Sequence, residues 1–137
     1  MKRTMPKWLK IAATITGSLL FITICAYAGL VILANNTQAA YKQITPVNLQ
    51  AVDDGVYNGK AGGFLCSMDL DVTVTDHRMT NIAVNHQVNG GGKYQAPGMA
   101  DRILDAQSLE VDTISGATLT SQTILVAVHE ALMDGER

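Results

Sequence analysis

Met68-Asp69-Leu70-Asp71-Val72-Thr73-Val74-Thr75 alternates apolar and polar side chains without a break. A period of two is that of a strand with one face buried and the other in water. Cys66 continues the inward set on the N-terminal side. After Asp76-His77, a second strand runs from Arg78 through Ile82 and Val84 towards His86, which makes an antiparallel hairpin. A slip in phase between Met79 and Ile82 marks a bulge. Val56 and Tyr57 begin an earlier strand, turned by Gly55 and Gly59.

Towards the C-terminus the period changes to that of a helix. Ile124, Val128 and Leu132 fall four apart, with Leu125 and Ala131 beside them, over a helix of about 121–133. This stripe is expected to pack on the inner face of the hairpin. A shorter helix at 99–106 follows a glycine-rich loop at 88–98, which composition alone reads as a flexible connection. The fold class is therefore α+β, a small antiparallel sheet packed against a C-terminal helix.

One more element precedes it. Residues 11–41 carry no charge, and 11–34, at 24 residues, are long enough to cross a hydrocarbon core of about 30 Å as a helix. Lys2, Arg3, Lys7 and Lys10 stand before this span and Trp8 marks its interface. Positive residues stay on the cytoplasmic side, so the rest of the chain is expected outside the cell membrane, held by a single transmembrane helix. A cleaved signal peptide is the competing reading, because Ala26-Tyr27-Ala28 has the small-x-small pattern. Continued apolar character through 29–34 favours the uncleaved anchor. Cys25 follows Ile24 rather than a small residue, which argues against a lipid-modified cysteine. The expected organisation is 1–34 as a cytoplasmic basic tip and anchor, 35–50 as a polar tether and 51–137 as the folded domain. Fully extended, the tether reaches at most about 55 Å, which keeps the domain near the bilayer.

The net charge of −2 is uneven. Four of the ten basic residues precede the span and all twelve acidic residues follow it, so the exported part carries about −6. Such a domain repels nucleic acid and anionic lipid alike. Cys66 is the only thiol beyond the span, which excludes an intramolecular disulfide, a CxxC redox pair and a four-cysteine cluster in the domain. No His or Cys pair stands at metal-ligand spacing, so no metal site is expected.

Between the two helices lies Asp112-Thr113-Ile114-Ser115-Gly116-Ala117-Thr118-Leu119-Thr120-Ser121, a small hydroxyl-rich turn. Glycine lets backbone approach a ligand, hydroxyls donate hydrogen bonds, and unpaired N–H groups at a helix start favour an anion. Read this way the stretch is a phosphate cradle. Read plainly it is an N-cap supplied by Ser115, Thr118 or Ser121.

The same residues resemble the acidic-x-x-Ser/Thr-Gly-Ala-Thr signature of the FMN-binding domain family. Asp112, Ser115, Gly116, Ala117 and Thr118 meet every fixed position, and the match runs on through Leu119, Thr120 and Ser121. Asp54-Gly55-Val56-Tyr57-Asn58-Gly59 is similar to the family's usual start. The resemblance implies that 51–137 is an FMN-binding domain. It further implies that a flavin transferase consumes FAD and esterifies FMN, through its phosphate, to the hydroxyl of Thr118. A Thr-Pro-Gly-x-Gly loop contacts the flavin in the family. Pro97, Gly98 and Met99 match its centre, while Ala96 replaces the threonine and Ala100 the second glycine. His86 is a further candidate contact, against the plain alternative of a surface histidine.

Asp112 would repel a phosphate, so ordering of the turn or recognition by the transferase suits it better than ligand contact. Asp69 and Asp71 read as the wet face of a strand, His77 as a turn residue and His129 as the exposed side of the last helix. Ser115 lacks a Gly-x-Ser-x-Gly elbow, which argues against a hydrolase. The expected role is electron transfer rather than stand-alone catalysis. The implied partners are a quinone-linked membrane dehydrogenase or electron-transport complex on one side and a downstream redox protein or acceptor on the other. A non-catalytic sensor or assembly subunit, with noncovalent FMN or none, is the alternative.

Overall fold

The computed structural model describes residues 6–63, 66–88 and 95–136. Most of the glycine-rich loop, 89–94, lies outside the described residues, as do Lys2 and Arg3 of the basic tip. The chain divides into two compact units, Met1–Ile32 and Leu33–Arg137.

Helix α1, Lys7–Tyr41, supplies most of the first unit, and its last residues belong to the second. Its stretch Ala12–Tyr41, 30 residues, is long and apolar enough to cross a membrane, a property that signal sequences share. Leu19, Leu20, Phe21, Ile22, Ile24 and Tyr27 are all exposed, and a helix apolar on every side is at home only away from water.

The second unit is an α+β domain. Strands β1 (Gly55–Gly62), β2 (Ser67–Thr75) and β3 (Arg78–Val88) form an antiparallel sheet in the order β1-β2-β3. Helices α2 (Met99–Ala106) and α3 (Thr118–Gly135) follow. Along β2 the alternation is realised: Met68, Leu70, Val72 and Val74 are buried, and the polar residues between them face the other way. Each such buried aliphatic side chain contributes about 1.5–3 kcal/mol relative to exposure. Asp76 and His77 join β2 to β3 with φ of 52° and 57°. Two consecutive positive φ values give the turn twist that matches the strands. Asp54 Oδ1 accepts from His77 N at 3.2 Å, while His77 Nδ1 lies 3.0 Å from Val52 O.

The pairing register jumps from Thr73↔Asn81 to Val74↔Met79, leaving Thr80 as a bulge where the phase slip places one. A second jump, from Asp69↔His86 to Leu70↔Val84, bulges Asn85 as well. Gly59 corrects the sequence reading: it sits inside β1, opposite Leu70, and turns nothing. Its lack of a side chain admits α3, because a Cβ there would meet the Ala127 carbonyl and stand 2.9 Å from the Ala131 Cβ. At the far end Gly135 accepts the Tyr57 ring in the same way.

Helix α3 spans Thr118–Gly135, three residues earlier at its start than the apolar stripe alone suggests. It lies over β1 and β2 rather than over the β2–β3 hairpin. Ile124, Leu125, Val128, Ala131 and Leu132 are all buried, with Met99 and Ile103 of α2 and Met79 and Ile82 of β3 completing the core. Gln107, just past α2, closes the start of the free edge of β3: its Oε1 accepts from Met79 N at 2.9 Å and its Nε2 donates to Met79 O at 2.8 Å.

The stretch read as a tether is not extended. Its first residues continue α1 to Tyr41, and Tyr41, Ile44, Val47 and Leu49 pack against the core. Asn48 then caps a single 3-10 turn, Leu49–Ala51, accepting from Gln50 N at 3.1 Å. His129, placed by the sequence on the exposed side of α3, is half-buried, with its Nε2 3.4 Å from Thr45 N and 3.3 Å from Thr45 Oγ1. Scattered among polar neighbours, these apolar residues give no periodic signal.

Candidate functional site

The turn between α2 and α3 is built on one glycine and one serine. Gly116 has φ of +82° with open space around it, so backbone conformation, and not crowding, calls for glycine there. Ala117 N donates to Ile114 O at 2.9 Å and closes the turn, and Ser121 N donates to Ala117 O at 2.9 Å to begin the helix. The Ser121 hydroxyl works from inside that first turn: it accepts from Ile114 N at 3.1 Å and donates to Ala117 O at 2.9 Å. It is fully buried, and the bond runs backward from the helix onto the turn.

Consequently none of the three hydroxyl candidates caps α3. The N-cap is Ala117, whose side chain has no oxygen to offer, and no side chain bonds the first amides among the described residues. Ser115, Gly116 and Thr118 are exposed, Leu119 is half-buried, and Ala117 and Thr120 are buried at 5% and 3% exposure. Thr118 therefore stands as the first residue of the helix with its side chain towards solvent and bare backbone donors around it. That is a geometry for receiving an anion at a helix N-terminus.

Support comes from both sides. Arg102 of α2 donates from Nη1 to the Asp112 carbonyl at 3.1 Å, so Asp112 joins the site through its backbone while its exposed side chain leaves the turn free. Under the helix start, Cys66 Sγ donates to Thr120 Oγ1 at 3.8 Å, both groups buried. Helix α3 thus begins at the end of the sheet where β1 and β2 approach each other, and ends over Tyr57.

The second family-like loop turns through Ala96 (φ 45°) and Gly98 (φ 78°) into α2, with Met99 N donating to Ala96 O at 3.2 Å. Pro97 and Gly98 are exposed. Met99 is fully buried in the same core as Ala117, so this loop and the signature turn share a foundation, and Met99 serves that foundation.

His86 stands on β3, near its end. It pairs with Asp69 on the outer face of the sheet and lines an open groove of about 330 Å³ with Lys60, Ala61, Gly62, Ser67, Met68 and Asp69. Beside it, Asn58 Nδ2 donates to Asp69 Oδ1 and Asp71 Oδ1, each at 2.8 Å, and Asn85 Nδ2 donates to Asp71 Oδ2 at 2.8 Å. Lys60 Nζ is 3.0 Å from Asp69 Oδ2. The Asn58 amide and then Lys60 hold the Asp69 carboxyl below its usual range, and Asn85 and then Asn58 do the same for Asp71. Both are committed anions, unsuited to proton exchange near neutrality.

One polar side chain next to the turn lies outside the motif. Gln122 stands four residues after Thr118 on the same side of α3, and its Oε1 is buried without a hydrogen-bond partner among the described residues. A buried carbonyl left so costs about 1–3 kcal/mol. Helical spacing from Thr118 is the signal that points to it.

Comparison with known proteins agrees with the signature. The family model described as an FMN-binding domain matches residues 63–133. A Treponema pallidum (strain Nichols) protein named only "Uncharacterized protein" is 31% identical over 98 residues, covering 70% of this chain and 26% of that protein. The chain therefore spans about a quarter of the length of that relative.

Proposed function

Because the chain belongs to the FMN-binding domain family, we propose that it is a membrane-anchored electron carrier bearing FMN esterified through its phosphate to Thr118. The observation that carries this reading is the complete signature, Asp112 with Ser115-Gly116-Ala117-Thr118, ending on an exposed threonine at the uncapped start of α3.

The residues fit the group. Thr118 Oγ1 forms one P–O bond to the FMN phosphorus while a transferase breaks the pyrophosphate bond of FAD, AMP leaves and the hydroxyl proton is released. The amides at the head of α3 would hold the ionised ester, with the helix dipole in their favour. Gly116 holds the backbone in the left-handed region that leaves Thr118 outward, and Ser121 locks the turn from below. Pro97 and Gly98, exposed between the buried Ala96 and Met99, would contact the attached group in this reading. When bound, the flavin supplies one- and two-electron chemistry; the chain supplies attachment and orientation.

Helix α1 serves as the anchor in this reading. The four basic residues before its apolar run face the cytoplasm and the domain lies outside, where covalent attachment prevents loss of cofactor by dilution. Electrons enter from a quinone-linked dehydrogenase or electron-transport complex in the same membrane and leave to a downstream redox protein or acceptor.

The test is mass spectrometry of the denatured full chain, purified from cells with an active transferase. One FMN less one water is expected on the peptide containing Thr118, and Thr118→Ala should abolish it without loss of folding. Unmodified wild-type protein would favour a noncovalent or flavin-free sensor or assembly role.

A further inference from the structure

We propose that Gln122 is a positioning residue for the attached cofactor: its Oε1 accepts a hydrogen bond from a hydroxyl of the ribityl chain of FMN held at Thr118. This inference rests on the covalent reading above and goes beyond it, since the family signature ends before Gln122.

Three observations lead there. The Gln122 Oε1 is buried and lacks a partner among the described residues. Flanking hydroxyls on α3 do not serve it, for Ser121 donates to Ala117 O at 2.9 Å and Thr123 donates to Leu119 O at 2.8 Å. Position 122 is one helical turn beyond 118 on the same side of the helix, and helical side chains lean towards the N-terminus, the direction of the turn that carries Thr118.

The chemistry of the orphan atom selects what it meets. A carbonyl oxygen accepts and never donates, so it repels the ionised phosphate ester, which has only acceptors. Cβ atoms four residues apart on a helix are about 5–6 Å from each other, so the groups in reach of Gln122 are those next along from the phosphate. Those are the sugar-alcohol hydroxyls, each with a proton to give. The ring imide lies at the far end of the cofactor. Gln122 thereby fixes the first part of a flexible chain, and this restrains the ring beyond it.

The full chain in detergent, loaded by the transferase with FMN or left unloaded, tests this in wild type and Gln122→Met. Met keeps the length and loses the amide acceptor. Denatured mass should show the adduct in both. Unloaded Gln122→Met should melt at or above wild type, because the unpaired carbonyl is gone. After loading, Gln122→Met should lose most of the loading-induced rise in Tm and show lower flavin fluorescence anisotropy. Equal anisotropy and an equal rise in Tm for wild type and Gln122→Met overturn the role of Gln122 while leaving the adduct standing. Loss of the adduct in Gln122→Met alone also overturns it, assigning Gln122 to transferase recognition. Absence of the adduct from wild type, with active transferase, overturns the covalent reading and this inference together.

Discussion

The two faces of the three-stranded sheet are held by different physics. On the inner face, shape decides: Gly59 and Gly135 are small because α3 and the Tyr57 ring need the room, and Leu70, Val72 and Val74 are fully or almost fully buried beneath the helix. On the outer face, valence decides: Asn58 and Asn85 distribute amide protons over the carboxylates of Asp69 and Asp71 in a setting open to water. Close-packed interiors respond to a single methyl group, whereas exposed polar networks contribute little each. The signature turn belongs energetically to the first face, since Ala117 and Met99 are part of the core. Its rigidity is inherited from packing and not from surface charge.

The largest expected effect breaks the inner face. Gly59→Val drives a branched side chain against the Ala127 carbonyl and Ala131, and should destabilise the domain by about 3 kcal/mol, the upper end for overpacking, in a denaturant melt. Next is Ser121→Ala, which strips Ile114 N of its acceptor and should cost about 1–3 kcal/mol. Hydrogen exchange at Ile114 and Ala117 should rise with it, which sharpens the link between core and turn. Gly116→Ala meets open space and should cost only the left-handed conformation, about 1–2 kcal/mol. A cost like that of Gly59→Val would contradict the distinction between a glycine kept for conformation and one kept for room.

The smallest effect is on the outer face. Asp69 and Asp71 have folded pKa values below their unfolded ones, so the stability they hold is present above the unfolded carboxylate range near pH ~4 and is lost as pH falls through the folded values. Asn58→Ala should raise both titrations, seen by NMR of the carboxyl carbons. It should destabilise slightly at pH 7, with the difference from wild type vanishing in acid.

Much of this was legible where a period was unbroken. The run 68–75 gives β2, the change of phase after Met79 gives the Thr80 bulge, and α2 falls where the sequence places it. What escaped depends on a partner remote in sequence. Gly59 looks like a turn glycine until α3 is laid over it. The start of α3 was hidden by an excess of capping candidates, because Ser121 spends its hydroxyl backward on the turn, and this moves the first helical residue to Thr118. The Asn85 bulge sets Asn85 and His86 on one face, which strict alternation forbids. The motif singles out Thr118 but is silent about Gln122, which stands out only in three dimensions, as a buried atom without a partner among the described residues.

The amide of Gln107 has a meaning for how the protein behaves in a crowd. By copying the donor and acceptor of a neighbouring strand at Met79, it stoppers the spot where another chain would begin to zip onto β3. The Thr80 and Asn85 bulges then interrupt the row that such a chain would need to follow. A sheet with so short an adhesive edge resists clumping at high local density without any gain in its folding stability.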